Sequence, residues 1–147
     1  MGRILYVKQN EETMLQRDYL LKEIEKIAAI IAAIRQNIFG GTANFAITLE
    51  NTKEILQTEI NFDLDKFLNL NPEKANDYIS SFQGFNVENI ETLAACISEI
   101  GFNNQNDNSR KYLEKALQLY ELCNVKSKTF SFEREGKISE IKNTLMF

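Results

Sequence analysis

Carboxylates, tyrosines and two thiols are among the reactive side chains of this 147-residue sequence, and histidine is absent. Without histidine it lacks the commonest general base, the usual activator of serine and cysteine nucleophiles, and the commonest neutral metal ligand. Di-iron bundles, which set a histidine three residues after a glutamate, and Cys/His zinc sites are therefore excluded. The carboxylate pairs closest in sequence, Glu11 with Glu12 and Asp63 with Asp65, offer oxygens suited to magnesium or calcium. Neither belongs to an ordered calcium-loop pattern, so both read as solvated or helix-capping charges. Arg17, Asp18 and Tyr19 read as a structural polar cluster rather than a proton-transfer site. Cys96 and Cys123 fall inside apolar helical patterns and read as small buried hydrophobes rather than a disulfide framework. No catalytic, cofactor-binding or metal-ligating residue is expected, and the chain is not expected to be an enzyme.

The formal charge of -4 and pI near 5.0 argue against general nucleic-acid binding, which needs excess Lys and Arg. The one basic run, Lys126, Lys128, Arg134 and Lys137, is interrupted by Glu133 and Glu135 and reads as a solvated face. A membrane span is not expected either. The longest apolar block, Ile27 to Ile34, is far shorter than the roughly twenty residues that cross a bilayer. Arg3-Ile4-Leu5-Tyr6-Val7 is too short for the apolar core of a secretory signal, so the expected compartment is the cytoplasm.

The elements that would position any site are helices. One proline and six glycines leave long stretches free of helix breakers. Leu20, Ile24, Ile27, Ile31, Ile34 and Ile38 recur at alternating steps of four and three, predicting a central helix over about 11–38. Ala28, Ala29, Ala32 and Ala33 flank the stripe and predict close helix approach on more than one side. Gly40-Gly41-Thr42 predicts the helix end rather than a phosphate loop, because no Lys-Ser/Thr signature follows. Further helices are predicted over 43–60, 64–70, 72–82 and 87–100, with Asp63, Asn71 and Asn86 as starts and Gly84 and Gly101 as stops. The Asn-rich stretch 103–109 predicts a loop, capped by Asn106, Asp107 or Asn108. Two last helices are predicted to about 123 and over 129–145, the latter with Phe130, Ile138, Ile141 and Leu145 in the core. The expected fold is an all-α antiparallel bundle of five to seven helices in a single domain.

Ala116, Tyr120 and Cys123 follow the small, aromatic, small spacing that resembles the second helix of a tetratricopeptide repeat. Ile97, Ile100 and Gly101 are similar to the end of such a repeat's first helix, with a connecting loop about three residues longer than the usual one. The run Gln16-Arg17-Asp18-Tyr19-Leu20-Leu21-Lys22-Glu23-Ile24-Glu25 resembles the opening of an uncharacterised bacterial helical family that ends in such a helix pair. This resemblance implies a helical domain over 14–147 with an extension at 1–13, a tetratricopeptide-like pair at the C-terminal end and a protein that acts by contact. It supplies no catalytic residues.

Three functional readings follow from the sequence. In the first, the chain is an interaction or adaptor domain whose C-terminal groove takes a protein partner through Tyr112, Tyr120, Phe130 and Phe132. In the second, it is a homodimer joined through the first helix or the Ile4-Leu5-Tyr6-Val7 strip. In the third, it is a small-ligand binder or carboxylate enzyme, which requires a polar-lined pocket.

Overall fold

The isoleucine stripe fixes where the chain packs. The computed structural model describes the backbone of residues 2–40, 45–103 and 108–146, and the side chains of residues 13–37, 48–103 and 108–146. Within them every regular element is a helix: α1 (Gly2–Gly40), α2 (Phe45–Ile60), α3 (Leu64–Asn69), α4 (Pro72–Ser80), α5 (Val87–Asn103), α6 (Ser109–Ser127) and α7 (Phe132–Leu145). The architecture is an all-α bundle.

Ile27, Ile31 and Ile34 are each at most 2 % exposed, and α1 packs against α2 and α5 through this stretch. The stripe does not stay buried along its whole length. Leu20 is 37 % exposed and the described side chains before it are exposed as well. Apolar spacing marks a face that can be buried, but among the described residues none buries the side chains of this part of α1. The helix also begins at Gly2, well before the predicted start, so the segment read as an extension continues α1. The side chains of Ile4 to Val7 lie outside the described residues. Ala28, Ala29, Ala32 and Ala33 remain exposed, so the close approach expected on several sides occurs on one only.

Local chemistry sets most of the helix ends. Asn61 closes α2 in the left-handed region at φ 57, its N–H donating to the Gln57 carbonyl while the Phe62 N–H donates to that of Leu56. Asp63, Asn71 and Ser131 cap α3, α4 and α7, their side chains accepting from the amides of Lys66, Lys74 and Arg134. Asn86 likewise accepts from the amide of Asn89 at 2.9 Å. Asn108 stands at the start of α6 without a side-chain capping bond.

The two glycines predicted as stops do other work. Gly101 lies inside α5, where a Cβ would sit 2.9 Å from Leu113 Cγ and 3.1 Å from Tyr112 Cβ. Its missing side chain lets α5 approach α6, the most extensive helix pair in the molecule. Gly84 follows α4 in a turn, and a Cβ there would meet the Glu23 carbonyl oxygen at 2.9 Å. Beside it, buried Asn89 donates to the carbonyls of Ile24 and Gly84 at 2.9 and 2.8 Å, fastening α1 to the turn before α5.

Phe62, Phe67, Tyr78, Phe82 and Phe85 form an aromatic cluster under α2 to α4, with neighbouring centroids 5.2 to 6.3 Å apart. Lys115 is buried nearby at 5 % exposure. Its ammonium donates to the carbonyl of Leu70, the residue that ends α3, and to Gln118 Oε1 at 2.9 Å. Cationic donors are suited to helix C-termini, and burial pushes this lysine's pKa below its ordinary value.

Candidate functional site

An enclosure of about 500 Å³ opens between α5 and α7. The helical period places Glu91, Thr92, Ala95, Ser98, Glu99 and Phe102 along one side of α5, and all six line it. From α7 come Glu133, Arg134, Lys137, Glu140 and Ile141, while Tyr120 of α6 and Arg35 of α1 complete the walls. The α5 residues span roughly 18 Å of helix, about the length of a five-residue extended segment.

Two ion pairs build the walls. Arg134 is 6 % exposed and donates through Nε and Nη2 to Glu91 Oε1, at 2.9 and 2.6 Å. Its Nη1 donates to Asn124 Oδ1 and Ser127 Oγ at 3.0 and 3.2 Å, so one guanidinium joins α5, α6 and α7. Toward α1, Arg35 Nη2 donates to Glu99 Oε1 at 2.7 Å. Both cations serve the architecture, and Arg134 is thereby withdrawn from the basic run, leaving Lys126, Lys128 and Lys137 exposed.

The predicted aromatic residues are not gathered on one surface. Tyr120 lines the cleft but is 2 % exposed, and Tyr112 is 3 % exposed against α5. Phe130 and Phe132 stand in the open at 69 and 85 %, their rings edge to face with centroids 4.7 Å apart. The expectation that Phe130 enters the core is corrected: α7 begins only at Phe132, and Phe130 precedes its Ser131 cap. Neither phenylalanine lines the cleft. The charged lining escaped the sequence reading because Glu91, Glu99 and Arg134 look like ordinary solvated helix charges. The available signal was the pairing of Glu91 with Glu99 on one side of α5.

The carboxylate pairs resolve into structural roles where they are described. Asp63 caps α3 and Asp65 pairs with Lys53 at 3.2 Å, while the side chains of Glu11 and Glu12 lie outside the described residues. Among the described residues, no three Cys, Asp or Glu side chains converge as a metal site, and no helix is long and apolar enough to cross a membrane.

Burial dominates the titration of the groups around the floor. It pushes the Cys96 thiol from 9.0 to about 12, Cys123 from 9.0 to about 11, and the Tyr120 phenol from 10.0 to about 12. Groups raised in this way contribute stability that is complete below about pH 9 and is lost as pH rises through their folded values. Lys115, lowered by burial, acts in the opposite sense below 10.5. We expect the urea midpoint to fall steadily between pH 9 and 11, with both thiols unreactive toward an aromatic disulfide reagent until the chain unfolds. A flat midpoint, or rapid native labelling near pH 8, overturns this expectation.

Comparison with protein-family models, with curated protein sequences and with solved structures returned no match.

Proposed function

We propose that this protein acts by contact, as an interaction domain whose α5–α7 cleft receives a short segment of a protein partner. The observation that carries the proposal is the cleft itself, long enough for an extended segment and lined by apolar, hydroxyl and charged groups together. Spacing that resembles a tetratricopeptide helix pair supports it, because such pairs use the face between successive helices for peptides.

Ala95 is half-buried on the cleft wall, so Ala95→Trp fills the cleft without removing an ion pair. The expected result is a partner that co-purifies stoichiometrically with the unaltered protein and is reduced about tenfold or more by Ala95→Trp, with the thermal melt retained. Equal capture by both proteins, or by neither, rejects the reading.

A second reading, self-assembly through α1, draws on one observation: Met14, Leu15, Tyr19 and Leu21 are 49 to 68 % exposed along one stretch of α1. Light scattering on the same preparations separates the two readings, because a strict monomer excludes self-assembly.

A further inference from the structure

We propose that the turn between α6 and α7 inserts Phe130 and Phe132 into the surface of an anionic lipid bilayer. The inference goes beyond the contact reading and uses a different part of the molecule. Phe130 and Phe132 are 69 and 85 % exposed, and Val125, near the end of α6, is 71 % exposed. Phenylalanine is ordinarily a core residue, and two rings present on the order of 200 to 300 Å² of apolar surface, enough to mark a site of interaction. The turn that carries them is fastened on both sides. Lys128 closes α6 in the left-handed region at φ 57, its N–H donating to the Asn124 carbonyl. Ser131 caps α7, and the Arg134 guanidinium ties that helix back to Asn124 and Ser127. The rings therefore project as a built feature of the α6–α7 joint.

Shape and charge select the occupant. The two rings pack edge to face on each other, and neither lines the cleft, so they form a ridge that must enter something else. A bilayer surface opens around such a ridge, whereas a docked peptide or helix needs a groove. Residues 122–132 hold two lysines and no carboxylate, in a chain of formal charge -4. Lys126 and Lys128 are exposed, and among the described residues no carboxylate forms an ion pair with either. The nearby acids of α7 have other places: Glu133 lines the cleft, and Glu135 accepts from the Asn124 amide at 3.2 Å. Glu121 lies about 6 Å back along α6 from Val125. Lysine stems are long enough to hold their ammonium groups at headgroup level while neighbouring rings enter the acyl boundary. Two unpaired lysines beside two open rings thus match an anionic surface.

The test uses the full chain and vesicles of phosphatidylcholine, with or without about a third phosphatidylserine. The chain contains no tryptophan, so Phe132→Trp supplies a sole indole reporter. Met146→Trp, 81 % exposed at the far end of α7, is its control. With anionic vesicles, the Phe132→Trp emission should shift to the blue and be quenched by bromine on the acyl chains, while the Met146→Trp emission stays unchanged. Pure phosphatidylcholine should bind about tenfold or more weakly, as should anionic vesicles at high salt, because the lysines lose their attraction. Phe130→Ser with Phe132→Ser should co-sediment about tenfold or more weakly than the unaltered chain, with the thermal melt retained because both side chains lie in the open. Lys126→Gln with Lys128→Gln should keep the rings and bind the two compositions alike. No shift up to millimolar lipid, equal binding of the unaltered chain to both compositions, or indifference to the serine pair overturns the proposal. Loss of a co-purifying protein by the serine pair, without vesicle binding, assigns the rings to a protein contact and overturns it as well. Ala95→Trp alters the cleft alone, so its effect on partner capture judges the contact reading separately.

Discussion

Arg134→Met is expected to destabilise the protein by about 3 kcal/mol, the lower end of what breaking a buried ion pair costs. Glu91 keeps 32 % of its side chain exposed, so water recovers part of the loss, which places the effect at that lower end. Asn124 and Ser127 also lose the guanidinium that joins them to α5. The cost arises from stranding partners, so it should shrink when the main partner is removed too. We expect Arg134→Met with Glu91→Leu to regain a measurable part of the loss, read as a positive coupling in a double-mutant cycle from urea midpoints. A single-variant loss below about 1 kcal/mol would place the pair among weak surface bridges. The contact reading adds a consequence: Arg134→Met loosens α7 from α5, so partner capture should fall even where the chain remains folded.

Gly84→Ala should cost about 1 to 3 kcal/mol, the penalty for overpacking, although one methyl is all that is added. The new Cβ meets Ile27 Cδ1 at 2.6 Å, which a rotamer change can relieve, and the Glu23 carbonyl oxygen at 2.9 Å, which is helix backbone and cannot yield. Relief requires α1 to move from the turn, stretching the Asn89 bonds to Ile24 and Gly84. Amide exchange should accordingly accelerate in α1 around residues 23–31. Gly136→Ala is the internal control, because its Cβ meets nothing within 4 Å and helix interiors favour alanine, so that variant should be neutral or slightly stabilised. Indistinguishable stability of the two variants would show that the close approach at Gly84 is not a tight constraint.

Sequence alone determined the secondary structure well because its signals are local. The caps Asp63, Asn71 and Asn86 act within three residues, and the Ile27, Ile31 and Ile34 spacing follows from the helical period. The missing histidine likewise settled which chemistries lack their side chains. Local rules failed where the outcome depends on what lies opposite a residue. Leu20 and Ile27 occupy equivalent places in one repeat, yet only Ile27 finds Gly84 and its turn against it. Gly101 reads as a stop by composition and becomes an interior contact because Leu113 and Tyr112 press on it.

The cleft belongs to the same class of outcome. Glu91 and Arg134 are 43 residues apart, as solvated in appearance as any other helix charges, and become a wall only when α7 docks beside α5. Tyr120 and Phe130 were equal aromatic candidates by type, but one is sealed behind the cleft and the other stands before the cap of α7. Helix formation is decided by neighbours a turn away, which the sequence displays directly. Burial and ion pairing are decided by residues tens of positions away, and only the tertiary structure brings those together.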